Sequence, residues 1–128
     1  MTTSNNGVKK YQRNLRYQVY VVELSKRVFT ENAKFMAANP QFNGVLECLY
    51  VGMTSIDPVE RFKQHKTGYR SKKGYNISSR LVCKYGSYLR PSLYDHINAN
   101  PMTRKEALMM EEKLALELRR KGYGVWYN

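Results

Sequence analysis

The stretch "CLYVGMTSIDPVERFKQHKTG", Cys48 to Gly68, decides the fold, because it changes character twice in a short span. An apolar run ends in Tyr50-Val51-Gly52, Asp57 then precedes Pro58, and Arg61 and His65 follow four residues apart on either side of Phe62. The Val, Leu and Tyr content makes the first part a strand. Asp57 can cap a helix, Pro58 suits its first position and Gly68 its stop, so the pattern predicts a helix from about Pro58 to Lys66. On that helix Arg61 and His65 share a face, while Val59 and Phe62 turn to the core. The polar face stands beside the end of the strand that carries Tyr50.

Working outward, "YQVYVVEL" (Tyr17 to Leu24) is a second strand of the same kind, and "GVLECLYV" (Gly44 to Val51) follows an Asn43-Gly44 turn signal. The two read as antiparallel neighbours. Between them "TENAKFMAANP" predicts a short helix with Thr30 as cap and Pro40 as stop. "RLVCKYG" (Arg80 to Gly86) is a third strand candidate, and "RPSLYDHINANP" a short helix or turn. The strongest helix signal runs from Arg104 to Lys121, with Thr103 as cap and Gly122 as stop. The order strand, helix, strand, helix, strand, helices predicts an α+β domain, residues 17–128, built on a small mixed three-stranded sheet flanked by helices. Residues 1–16 read as a basic, flexible arm.

The chain has 128 residues, of which 42% are apolar, enough for one modest core. Its 22 Lys and Arg against 10 Asp and Glu give a formal charge of +12, which attracts polyanions, nucleic acid first. No stretch approaches the roughly 20 apolar residues that span a bilayer, and no apolar segment follows the basic N-terminal residues, so the reading is intracellular, without secretory signal or membrane partner. Cys48, Cys83, His65 and His96 match no zinc spacing. His96, Trp126 and the remaining tyrosines read as packing residues.

Two features break their local pattern. At about 100° per residue, Ala107, Leu108, Leu114, Ala115 and Leu118 all lie within about 60° of Glu111, so this carboxylate sits in the middle of an apolar stripe. A partner is required. A salt bridge, to Arg104 or another Arg, and a metal ligand fit the pattern equally. The second is the basic run "HKTGYRSKKGYNISSR", in which Lys66, Arg70, Lys72 and Lys73 are interleaved with Tyr69 and Tyr75. Cations for phosphates and rings for unstacked bases suit a nucleic-acid-binding loop, and a solvated loop fits equally. Tyr20 and Tyr50 are core aromatics by default, and Arg61 and His65 solvated polar residues.

Taken together these residues resemble the GIY-YIG nuclease superfamily. Val19-Tyr20 stands where the first triplet has Ile-Tyr, Tyr50-Val51-Gly52 looks like the second triplet, and the Arg61–His65–Gly68 spacing is similar to the segment that follows it. "EALMMEEKLAL" is similar to the helix presenting the metal-binding Glu, and the terminal "VWYN" to the segment that places an Asn in the site. Gln18 replaces the first glycine, the Tyr20 to Tyr50 link is longer than usual, and Met53 stands where some members have Lys. The resemblance implies a metal-dependent endonuclease that hydrolyses DNA, single- or double-stranded, with RNA ranked behind it and monomer and dimer both open. It implies a site of Tyr20, Tyr50, Arg61, His65, Glu111 and Asn128. In it Glu111 would hold one Mg²⁺ or Mn²⁺, Arg61 would clamp the phosphate, and Tyr20 with His65 or Tyr50 would activate or orient water. The alternative is a catalytically inactive nucleic-acid-binding module of the same fold.

Overall fold

The structure, a computed structural model, describes residues 15–67, 77–99 and 102–128. Its α+β architecture is a four-stranded mixed sheet with helices packed against it, the strands lying in the order β3 (Gly86–Leu89), β1 (Gln18–Leu24), β2 (Cys48–Thr54) and β4 (Gly124–Tyr127). β1 (Gln18–Leu24) and β2 (Cys48–Thr54) are antiparallel, with Tyr20 opposite Gly52 and Val22 opposite Tyr50. Val19, Val21, Val22, Leu49 and Val51 are buried, so both faces of this central pair are covered, which is why they read as nearly continuous apolar runs. Among the described residues no helix is long and apolar enough to cross a membrane.

The β1–β2 connection holds two short helices, α1 (Arg27–Glu31) and α2 (Ala33–Ala38). The cap is Asn32, whose side chain accepts from the Phe35 N–H, and not Thr30, which lies inside α1. β2 starts at Cys48 and not at Gly44, because Gly44 takes φ +84° in a turn closed by the Asn43 side chain accepting from the Val45 N–H. The helix α3 (Pro58–Lys66) begins as its sequence requires, with Asp57 accepting from the Val59 N–H at 2.7 Å and Pro58 in the first turn. Val59 faces solvent and is 53% exposed, contrary to the core position expected for it, while Phe62 packs against the core.

The sheet differs from the three-stranded expectation in two places. "RLVCKYG" is not a strand: Arg80 to Tyr85 belong to α4 (Ile77–Tyr85), where Leu81, Val82 and Tyr85 are buried and Arg80 and Lys84 are exposed, a helical face. A short apolar run cannot be told from a buried helix by periodicity. The strand β3 (Gly86–Leu89) begins where the helix stops, at a glycine whose Cβ would lie 2.5 Å from the Val82 carbonyl oxygen. The fourth strand, β4 (Gly124–Tyr127), runs parallel to β2 and was not foreseen. Between β3 and β4 lie a 3₁₀ turn at Pro91–Leu93, α5 (Asp95–Asn98) and the long α6 (Arg104–Lys121). α6 starts at a capping box between Thr103 and Glu106 and stops at Gly122, φ +110°, as the sequence predicts.

β4 is pinned by a buried asparagine. Asn39 donates to the Phe35 carbonyl at 2.8 Å and accepts from the Val125 N–H at 2.7 Å, while the Gly124 N–H donates to the Glu47 carbonyl. Arg119 of α6 donates to the Val125 carbonyl at 2.8 Å from the other side.

Candidate active site

Residues paired across strands project to the same sheet face, so Tyr20, opposite Gly52, and Tyr50, two residues before it, share one face. Their rings meet above Gly52, with centroids 5.9 Å apart. A Cβ at Gly52 would lie 2.8 Å from the Tyr20 Oη and 2.8 Å from a Tyr50 ring carbon. The glycine is therefore required by close approach, and the two rings occupy the space its missing side chain leaves.

The start of α3, fixed by Asp57 and Pro58, turns His65 inward onto these rings. The imidazole is buried at 4% exposure, not solvated, and its Nε2 is 2.9 Å from the Tyr20 Oη. Burial, and then the positive charge of Arg61, push its pKa down to about 4, so at neutral pH one ring nitrogen is unprotonated. The Tyr20 phenol moves the other way. Burial and then the neighbouring Tyr50 raise its pKa well above the ordinary value, and the Arg61 guanidinium opposes them. Tyr20 is thus a phenol at rest, hydrogen-bonded to a neutral imidazole. Arg61 is half-buried and steered by Gln64, whose Oε1 accepts from its Nη1 at 3.0 Å.

Glu111 occupies the buried face of α6 with Ala107, Leu114, Ala115 and Leu118, as its helical position predicts, at 1% exposure, whereas Leu108, expected in the same stripe, lies at its edge and is exposed. The salt bridge that the pattern allowed is not formed with Arg104 or any other described cation. The Oε2 accepts from the Asn128 N–H at 3.0 Å, and the Oε1 is buried without a hydrogen-bond partner among the described residues. Burial pushes the carboxyl pKa up to about 7, with the Asn128 N–H pulling against it. Asn128 also links the carboxyl to the tyrosines, its Nδ2 donating to the Tyr50 Oη at 3.4 Å. Arg61, His65, Tyr20, Tyr50, Asn128 and Glu111 thus form one chain of neighbouring polar groups.

A buried carboxylate oxygen with an open lone pair fits a hard divalent cation. No group of three or more His, Cys, Asp and Glu side chains suited to a metal occurs among the described residues. A cation here would take Glu111 as its one carboxylate and complete its sphere with water and substrate oxygens, the manner of Mg²⁺.

Beside Arg61 lies an open depression of about 440 Å³, bordered also by Tyr17, Met53, Ile56, Gln64 and Arg104. Of the basic run, Lys66 donates to the carbonyls of Cys83 and Gly86 at 3.1 and 2.8 Å, tying α3 to the end of α4, so its ammonium serves a structural contact. Tyr69, Arg70, Lys72, Lys73 and Tyr75 lie outside the described residues. The sequence reading missed Gln64 as the Arg61 partner and Tyr17 and Arg104 as depression walls. Gln64 carried a signal, its i, i+3 position relative to Arg61, whereas Tyr17 and Arg104 meet only through the tertiary fold. No protein-family model, curated protein or solved structure matches the chain.

Proposed function

We propose that the chain is a divalent-metal-dependent endonuclease of the GIY-YIG type that hydrolyses phosphodiester bonds in DNA. The observation that carries the reading is the buried Glu111 Oε1, without a partner among the described residues, at one end of a chain of polar groups whose other end is the Tyr20–His65 hydrogen bond. The charge of +12 supports a polyanionic substrate.

In this reading neutral His65 is the proton acceptor. As a water oxygen attacks phosphorus, the water proton passes to the Tyr20 oxygen and the Tyr20 proton to the His65 Nε2, while the ester P–O bond opposite the attacking oxygen breaks with its electron pair on the leaving oxygen, which takes a proton from solvent. Relay suits the geometry better than a standing phenolate, because burial disfavours the charged form of Tyr20. Arg61 donates to the phosphate oxygens and, being charged throughout, also eases transient negative charge on Tyr20. Tyr50 and Asn128 hold the Tyr20 ring and the Glu111 carboxyl in place. A divalent ion on Glu111 would supply charge neutralisation at the scissile phosphate.

The test is incubation of labelled single- and double-stranded DNA with Mg²⁺, Mn²⁺ or chelator, for the parent and Glu111→Gln. Cleavage that needs both the metal and the Glu111 carboxylate is expected. Tight binding without cleavage in either metal would leave the fold as a nucleic-acid-binding module.

A further inference from the structure

We infer that the depression beside Arg61 is a nucleotide subsite, and that the DNA bound there is single-stranded at the nucleotide adjoining the cut; this rests on the nuclease reading above. The volume of about 440 Å³ lies in the range of sites for single small molecules, about 300–1,000 Å³. Two cations reach the depression from different elements, Arg61 on α3 and Arg104 at the start of α6, and no described carboxylate lines it. Such a pair suits an anionic ligand with more than one oxygen.

The remaining walls suit a base and sugar. Tyr17, Met53 and Ile56 offer an aromatic ring and apolar surface, and the Gln64 amide offers polar atoms for a base edge. Tyr17 is held in place by its N–H donating to the Met102 carbonyl at 3.2 Å and by packing against the core. Arg61 belongs to both places, since its charge also acts on Tyr20 and His65. The nucleotide in the depression is therefore next to the scissile phosphate. A base that enters such a concavity must leave its stack and its pair, which is least costly in a single strand.

The experiment measures binding and cleavage separately with the full chain. In chelator, where no cutting is needed, fluorescence anisotropy compares a labelled short oligothymidylate with a duplex of equal length. The single strand should bind at least about tenfold tighter. Tyr17→Leu and Arg104→Gln should each weaken it about 5–20-fold while moving duplex affinity less than about twofold. Arg104 is exposed, so its variant folds even if the Tyr17 variant does not. Inorganic phosphate and thymidine 5′-monophosphate serve as competitors. The nucleotide should compete about tenfold better, and equal competition would reduce the depression to an anion site and overturn the subsite. Equal affinity for both DNA forms, or an Arg104 variant indistinguishable from the parent, would also overturn it. Failure of the nuclease reading would look different: the single-strand preference and both variant effects would stand, with no cleavage in Mg²⁺ or Mn²⁺.

Discussion

Replacing Glu111 by Gln should make the metal-free protein more stable as pH rises. The carboxyl is pushed from its ordinary 4.5 up to about 7, so the folded state holds its proton over a range in which the unfolded chain has released it. Parent stability therefore falls as pH rises from about 4.5 to 7, by roughly 3 kcal/mol once the carboxyl is ionised in both states. His65 has the opposite sign. Its folded pKa of about 4 lies below the ordinary 6.5, so its contribution is present above 6.5 and is lost as pH falls toward 4. The two slopes nearly cancel in the parent, and only the difference between parent and Glu111→Gln isolates the carboxyl. That difference should be small at pH 4.5 and should reach roughly 3 kcal/mol, or about 10 °C in Tm, in favour of the variant at pH 8 in chelator. Added Mg²⁺ at pH 8 should raise the Tm of the parent and leave the variant unmoved, by mass action on the folded state. Denaturant titrations and melts at a series of pH values read both effects. A variant that loses stability relative to the parent as pH rises would mean that Glu111 is half of an ion pair, and would refute the reasoning.

Gly52→Ala must displace the Tyr20 and Tyr50 rings, since its Cβ would stand 2.8 Å from each; a melt should give a loss of about 1–3 kcal/mol, and cleavage by the folded fraction should fall at least about a hundredfold. Tyr20→Phe removes the hydroxyl of the proposed proton relay and should lower kcat by about 10²–10⁴-fold with DNA affinity within a few-fold of the parent, as steady-state kinetics and anisotropy would reveal. Asn39→Ala leaves the buried Val125 N–H and Phe35 carbonyl without their partner, so unfolding titrations should register roughly 2–4 kcal/mol, and hydrogen exchange should rise first in β4. Neutralising Arg70, Lys72 and Lys73 together should weaken DNA binding and flatten its salt dependence; an unchanged slope would make that run a solvated surface.

The parts of the fold legible in the sequence are those with local causes. Asp57 and Pro58 set the start of α3 from adjacent residues, and the capping box and Gly122 bound α6 in the same way. Glu111 was legible because an 18-residue helix gives enough turns for one carboxylate in the apolar stripe to stand out. β4 was not, because four residues carry no period and its place depends on Asn39 and Glu47, distant in sequence. "RLVCKYG" misled because three apolar residues in a row fit a strand or a buried helix, and the close approach of Gly86 to the Val82 carbonyl, which leaves no room for a Cβ, exists only in three dimensions. The burial of His65 escaped for a related reason: on a helix with Glu60, Lys63 and Lys66 exposed, a polar residue at i+4 from an Arg looks like part of the wet face.

Packing alone would not ask for what gathers above Gly52. A buried carboxyl that weakens the folded state at neutral pH by roughly 3 kcal/mol is a large fraction of the 5–15 kcal/mol typical of a domain, and an apolar residue of similar size at Glu111 would pack the same stripe without that loss. The imidazole of His65 is likewise held in the form that acid solution disfavours, and the Tyr20 hydroxyl in the form that a base cannot use unaided. Gly52 adds a fourth departure, since a strand interior is weakened by a residue without a side chain. Each could occur singly in a structural core. Their convergence on Tyr20, which His65 meets by a hydrogen bond and Gly52 by close approach, follows if the groups share a task in which a proton moves and an anion is held. Glu111 joins them through Asn128, and its two oxygens divide the work. The Oε2 is fixed by a backbone N–H that no side-chain change at Asn128 removes, and that fixed orientation leaves the buried Oε1 without a hydrogen-bond partner among the described residues, the lone pair that the proposed cation would take.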